Sequence, residues 1–288
     1  MLKKRVAANL VVKDGIVVQS IGFKKYLPVG KPEIAIEFLN QWGIDEIILT
    51  DISATRKQSG PDFDMIRRAA QKCFVPLTVG GGISNTGQMK ELLHNGADKI
   101  SLNNAAITTP ELITETAHIF GGQCVVISID GIHTNKGFRI YDYLTHSALD
   151  ISPSEFAKRA EDSGAGEILI NSVDRDGSYL GFDHELINSV CSVVNIPVIV
   201  CGGAKNAGDF IEVFSKTNAS AATAANFFHF SEHSVNITKS ILNKKMDVRS
   251  EAFANYEDAC FDDDQRLLKK EDEVLENLLF IRIEKEII

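Results

Sequence analysis

Val75-Pro76-Leu77-Thr78-Val79-Gly80-Gly81-Gly82 recurs 121 residues later as Ile196-Pro197-Val198-Ile199-Val200-Cys201-Gly202-Gly203. At the same offset, Gly43-Ile44-Asp45-Glu46-Ile47-Ile48-Leu49 recurs as Gly164-Ala165-Gly166-Glu167-Ile168-Leu169-Ile170. Each copy reads as an apolar strand ending in a glycine turn. Two copies of one plan predict a duplicated half-barrel, and two half-barrels close into an eight-stranded (β/α)8 TIM barrel of the α/β class. Outward from these stretches, apolar β-branched runs predict strands over 5–12, 46–51, 75–79, 98–102, 124–129, 167–172, 197–201 and 220–224. Helix-length patterns follow each, over 31–43, 62–73, 86–95, 110–120, 153–163, 183–194, 206–216 and 232–243. Ser152 before Pro153, and Thr109 before Pro110 and Glu111, are expected to cap helix starts. The longer polar segments 13–30, 52–61, 131–151 and 173–182 all follow strands, which puts them on the face where barrel active sites gather.

The charge is unevenly spread. The chain carries −9 over 288 residues, but 250–288 hold twelve acidic and five basic side chains, leaving −2 for residues 1–249. A near-neutral body offers no basic surface for nucleic acid. The expected organisation is a barrel over 1–249 and an acidic C-terminal extension over 250–288. In the extension, Phe261-Asp262-Asp263-Asp264 reads as a linker. Leu267, Leu268, Leu275, Leu278 and Leu279 after it suggest a helix, and Ile281 and Ile283 a short strand. The eighth helix of a barrel returns to the strand N-terminal face, so the extension is expected to emerge there. Five scattered cysteines fit neither a metal site nor a disulfide framework. No run approaches the roughly 20 apolar residues of a membrane helix and no signal peptide is evident. A cytoplasmic protein without metal, cofactor or membrane insertion is expected.

The glycine turns carry the binding chemistry. Gly81 and Gly82, and Gly202 and Gly203, each lie between a strand and a helix, where backbone N–H groups without a Cβ can approach phosphate oxygens. Glycine also relieves steric strain in such turns, so the duplication is what points to phosphate. Asn103-Asn104 after the fourth strand reinforces the first site. Ala224-Ala225-Asn226 after the eighth strand reinforces the second. Two sites would hold a phosphorylated small molecule with a phosphate at each end. His229, in Phe227-Phe228-His229-Phe230, reads as a structural histidine, Asp14-Gly15 as a turn, and Cys201 as a core residue.

These residues resemble the HisF family, the cyclase subunit of imidazole glycerol phosphate synthase. The resemblance covers about residues 1–249. It rests on Lys4-Arg5-Val6, Val12-Lys13-Asp14-Gly15, Pro76 to Ile83, Gly96-Ala97-Asp98-Lys99-Ile100, Gly164 to Leu169, Asp174-Arg175-Asp176-Gly177 and Phe228-His229-Phe230. The resemblance implies a barrel that docks a HisH-like glutaminase at the strand N-terminal face and conducts ammonia along its axis. At the other face, two aspartates would act as acid and base while ammonia cleaves a bis-phosphorylated substrate and closes an imidazole ring. Arg5, Glu46, Lys99 and Glu167 match the family's ammonia gate. Asp98 and Gln123 match positions near its glutaminase contact, and Asp176 and Gly177 match its second phosphate site.

The cyclase residues depart from that pattern. Of the two aspartates, Asp130 is present, ending Ile127-Ser128-Ile129-Asp130, but the other falls at Val11. A neighbouring cysteine is Asn9, and a substrate-holding lysine is Gln19; Asp51 and Asp176 remain. A single carboxylate does not readily supply both acid and base. The combination resembles the divergent WbuZ-type branch, in which a glutaminase and this barrel supply ammonia to a sugar amidotransferase. Leu27-Pro28-Val29-Gly30-Lys31-Pro32 and Ile52-Ser53-Ala54-Thr55-Arg56 also resemble that branch. Two alternatives stay open. One is an active cyclase using Asp130 with Asp51 or Asp176. The other is a non-catalytic, phosphate-ligand-binding activator of the glutaminase.

Overall fold

The structure, a computed structural model, describes residues 3–229, 233–249 and 259–268. Twelve strands lie among the described residues: β1 (Arg5–Lys13), β2 (Ile16–Ile21), β3 (Lys25–Gly30), β4 (Glu46–Asp51), β5 (Leu77–Gly80), β6 (Lys99–Leu102), β7 (Val125–Thr134), β8 (Gly137–Asp142), β9 (Ser147–Ala148), β10 (Glu167–Ser172), β11 (Val198–Cys201) and β12 (Ala221–Ala224). Eight of them pair in parallel around a circle: β1, β4, β5, β6, β7, β10, β11, β12 and back to β1. The β7–β10 pairing joins the two sequence halves, and the barrel is closed. All eight expected strands are present, with β7 running on to Thr134.

Side chains alternate along each barrel strand, so two separate cores form. Val6, Ala8, Leu10 and Val12 of β1, with their counterparts on the other strands, face outward and pack under the helices. A smaller cluster of Ile48, Val126, Leu169, Ile199, Cys201 and Ala221 fills the barrel itself. Eight helices follow the barrel strands: Pro32–Gln41, Phe63–Ala70, Thr86–His94, Glu111–Phe120, Pro153–Asp162, His184–Cys191, Ala207–Lys216 and Ser234–Asn243. Four of their starts are fixed by a side chain accepting a backbone N–H: Asp62, Asn85, Ser152 and Asp183. At a fifth, Asn206 and Asp209 form a reciprocal capping box. The cap expected at Thr109 is not formed. The helix begins at Glu111 behind Pro110, with no side-chain cap.

The polar segments after β1 and β7 carry structure that periodicity did not disclose. Residues 13–30 fold into the antiparallel hairpin β2–β3, which extends β1, and 131–151 contain β8 and β9. In the extension, Phe261 and Leu267 form an antiparallel bridge around a tight turn, so the expected linker is ordered and Leu267 does not start a helix. Asp264 in that turn pairs with Lys205 at 2.7 Å. Lys205 follows the C-terminal end of β11, so this part of the extension reaches the end of the barrel opposite the one expected for it. Leu275, Leu278, Leu279, Ile281 and Ile283 lie outside the described residues.

Candidate functional site

At the strand N-terminal end, four charges meet because each opens its own strand with an inward-facing side chain. Arg5 donates to Glu46 and to Glu167 through separate guanidinium nitrogens. Lys99 Nζ lies 2.9 Å from Glu46 and 2.7 Å from Glu167. Thr78 Oγ1 adds a 3.2 Å bond to Glu46. The result is a closed ring of two cations and two anions, with both carboxylates buried. Desolvation alone would lower the pKa of Arg5 and of Lys99; the two carboxylates reverse it, and both end raised. Mutual pairing thus offsets the burial of all four charges. Asp98 and Gln123 lie exposed beside this ring, at the N-terminal ends of β6 and β7. Above the ring, Ile48, Val126, Leu169, Ile199 and Ala221 form an apolar collar.

At the opposite end the barrel opens into a cavity of about 550 Å³ whose lining includes Asn9, Val11, Asp51, Gly81, Gly82, Asn103, Asp130 and Asp176. A second cavity, of about 20 Å³, is lined by Asp176, Gly177, Gly202, Gly203, Ala224, Ala225 and Asn226, among others. The residues expected in the two phosphate sites are therefore brought together in two adjoining cavities. The glycine turns have a structural reason to be glycine. A Cβ on Gly81 (φ +115°) would collide with the Asp51 carbonyl oxygen, and one on Gly203 (φ +98°) with that of Gly181.

Asp130 is 6% exposed and accepts from Asn103 Nδ2 at 2.9 Å and, more weakly, from Asn171 Nδ2 at 3.4 Å. Burial pushes its carboxyl up to about 7, despite those two bonds. No carboxylate faces it from β1. Val11 lines the same cavity, and Asn9 Nδ2 instead meets Cys201 Sγ at 3.6 Å. Burial also raises the Asp51 and Asp176 carboxyls, although Asp51 accepts from the Ser53 backbone N–H at 2.8 Å. The Cys201 thiol is pushed up to about 12 by burial and is no nucleophile at neutral pH. His229 is driven down to about 4 by burial, so it stays uncharged and structural. Gln19 donates to the Tyr179 hydroxyl at 3.3 Å and holds no charge toward a ligand. Around the upper lumen, Asn9 Oδ1, Asn171 Oδ1 and Thr223 Oγ1 are buried without a hydrogen-bond partner in the protein. This is a set of acceptors able to receive a small N–H or O–H donor.

The structure adds Tyr143 and His146, which no motif announced, and gives Arg56 of segment 52–56 a place at the site. Arg56, from the short helix Ala54–Lys57, donates to the Tyr143 carbonyl at 3.1 Å and meets His146 Nε2 at 3.3 Å. His146 Nδ1 lies 3.1 Å from the Tyr141 hydroxyl. Arg56, Tyr143 and His146 line the large cavity with Phe23 and Tyr26 of the β2–β3 hairpin.

With this geometry in place, comparison with known proteins gives a consistent family. Residues 5–234 match the histidine biosynthesis protein family. A Vibrio vulnificus (strain YJ016) protein, provisionally named imidazole glycerol phosphate synthase subunit hisF2, is 42% identical over 263 residues, 91% of this chain and 97% of its own length. Imidazole glycerol phosphate synthase subunit HisF of Clostridium botulinum (strain Okra / Type B1) is 43% identical over 247 residues, 85% of this chain and 98% of its own. The HisF of Natranaerobius thermophilus is 40% identical over 245 residues, again 85% and 98%. The Vibrio alignment thus spans more of the chain than the barrel occupies. The chain belongs to the HisF family of histidine biosynthesis proteins.

Proposed function

We propose that this HisF-family barrel takes ammonia from a glutaminase partner and passes it to a separate sugar amidotransferase making an acetamidino sugar for surface polysaccharide, its own cyclase chemistry having been lost. The observation that carries this reading is the contrast between its two ends. The ion ring of Arg5, Glu46, Lys99 and Glu167 is complete, while Val11 stands where Asp130 would need its partner carboxylate. Beyond the ring, the apolar collar favours neutral ammonia over ammonium, because an unpaired charge is expensive to bury. The acceptors of Asn9, Asn171 and Thr223 then offer ammonia hydrogen-bond partners on leaving the collar. Exposed Asp98 and Gln123 beside the ring suit a docked glutaminase. The glycine turns and Arg56 suit a phosphorylated ligand that would signal when ammonia is needed. The resemblance of 27–32 and 52–56 to the WbuZ-type branch supports the sugar reading over histidine synthesis.

One observation favours the cyclase reading instead. A carboxyl near 7 is well matched to proton transfer at neutral pH, and the relatives are named as imidazole glycerol phosphate synthase subunits. The deciding experiment is turnover of the family's bis-phosphorylated substrate with ammonium chloride, on the wild type and on Val11→Asp. Ammonium bypasses the glutaminase, so only the site itself is read. The expected wild-type rate is lower than that of a HisF relative by a factor of about 10²–10⁴. A wild-type rate equal to the relative's would make the chain a cyclase with a rearranged acid–base pair.

A further inference from the structure

Five adjoining barrel strands carry a polar arc that neither the ion ring nor the glycine turns use. In register, Asp130 of β7 lies beside Asn171 of β10, Asn171 beside Cys201 of β11, and Cys201 beside Thr223 of β12. From β1, Asn9 completes the arc by reaching Cys201 Sγ at 3.6 Å. Asn171, Cys201 and Thr223 each stand two residues beyond a collar residue, namely Leu169, Ile199 and Ala221. They therefore face the same lumen one layer further on. Asp130 and Asn9 keep the inward phase as well, four residues beyond Val126 and Arg5.

The arc turns oxygens, not N–H groups, toward a ligand. Asn9 Nδ2 is engaged with Cys201, and Asn171 Nδ2 with Asp130 Oδ1 at 3.4 Å. Their Oδ1 atoms, and Thr223 Oγ1, are left buried without a partner in the protein. Asn9 is 7% exposed, Thr223 0% and Asp130 6%, so these acceptors lie where an unmet hydrogen bond is costly. Asp130 adds a carboxyl, whose oxygens can accept more than the two amide bonds they hold. No ion pair reaches Asp130 among the described residues. The other titratable groups of the lumen wall, Asp51, Asp176, Cys201 and Tyr143, are neutral or anionic. The cavity's lysines and Arg56 are exposed at its mouth. A buried set of acceptors around a carboxyl suits a small cation that donates hydrogen bonds on every side.

We infer that the arc of Asn9, Asn171, Thr223 and Asp130 is an ammonium-binding site, where ammonia that has crossed the collar is held as the cation before it is passed on. The inference rests on the ammonia-conduction part of the proposed function and says how the barrel keeps ammonia from escaping through its open end. Ammonia takes the Asp130 proton: its lone pair forms the new N–H bond as the O–H bond breaks, leaving ammonium paired with the carboxylate. Return of that proton restores the carboxyl and frees neutral ammonia, so no other reactant is consumed. Burial, which holds the carboxyl near 7, keeps a proton available for this step at neutral pH.

The test is an NMR titration of the full chain at pH 8, following the side-chain amide signals of Asn9 and Asn171. Ammonium, potassium and sodium chloride are compared at constant ionic strength. Ammonium is expected to move both signals saturably, binding at least about tenfold more tightly than sodium and about threefold more tightly than potassium. Asn9→Leu, read on the Asn171 signal, and Asp130→Asn are each expected to weaken ammonium by at least about tenfold. Thr223→Val keeps the shape of its side chain and is expected to weaken it about threefold; it serves if Asn9→Leu does not fold. Signals that do not move, or that respond equally to sodium, overturn the inference, since water then fills the arc. Potassium bound as tightly as ammonium also overturns it, in favour of a monovalent metal ion. These outcomes leave ammonia delivery standing, because its path runs through the ring and collar and its own test is the turnover assay on Val11.

Discussion

Asp130 is a carboxyl whose proton affinity is set by burial, and its pH dependence follows in sign. Its folded pKa, about 7, lies above the roughly 3.9 of an unfolded aspartate. The stabilising contribution is therefore complete below about pH 4 and is lost as the pH rises to about 7. Asp130→Asn carries no such charge. Urea unfolding is expected to show it about 2 kcal/mol more stable than wild type at pH 8, with the advantage gone near pH 4. A constant difference across that range would mean that the wild-type carboxyl ionises normally in the fold. At this scale the sequence was most readable where chemistry is carried by residue type. The four gate residues and the acid–base role of Asp130 were named because these positions match the HisF family's pattern. Tyr143 and His146 were not, and Arg56 only as the end of segment 52–56, because their meeting depends on loop geometry that neither period 2 nor period 3.6 encodes.

The elements divide the same way. Barrel strands and their helices were legible because strands buried on both faces read as continuous apolar runs, and helices announce themselves with caps and stripes. The hairpin β2–β3 was not. Its second strand, Lys25 to Gly30, is mostly exposed and contains Pro28, so it gives neither an apolar run nor a clean alternation. Thr109 misled because the Thr-Pro-Glu order looks like a cap, yet the helix starts after Pro110 rather than at it. By contrast, the helix Ala207–Lys216 rests on its capping box. The Lys205 and Asn206 N–H groups donate to Asp209, and Asn206 Oδ1 accepts from the Gly208 N–H. Asn206→Ala is expected to lower stability by about 1 kcal/mol in thermal or urea unfolding, without changing the calorimetric affinity for a sugar phosphate. A larger loss together with loss of binding would tie this cap to the site instead.

For the whole molecule, the decisive contact is where the chain's described barrel ends against its beginning. Lys239 Nζ and Arg249 Nε both reach Asp45 Oδ1, at 2.6 and 2.8 Å, while Asp45 Oδ2 accepts from the Val6 N–H. Lys4 bridges to Val248 alongside. Asp45 and Lys239 are almost wholly buried, so Asp45→Ala leaves a buried cation short of its partner and is expected to cost about 3 kcal/mol in urea unfolding. Truncation after Arg249 keeps this clasp and, among the described contacts between barrel and extension, removes the exposed Lys205–Asp264 pair and the Lys244 ammonium over the Phe261 ring. It is expected to leave the thermal midpoint unchanged. A large drop on truncation would assign the extension a structural role in the barrel. None of this closure could be read from composition, because Asp45 and Arg249 are ordinary surface residue types until the barrel brings them together. The bridge between Lys4 and Val248 gives the barrel the connectivity of a ring. Residues 4 and 248 form a seam that is short in space though long in sequence. A short linker across that seam would allow the ring to be cut at another exposed turn, giving a circularly permuted chain with the same lumen and the same two ends.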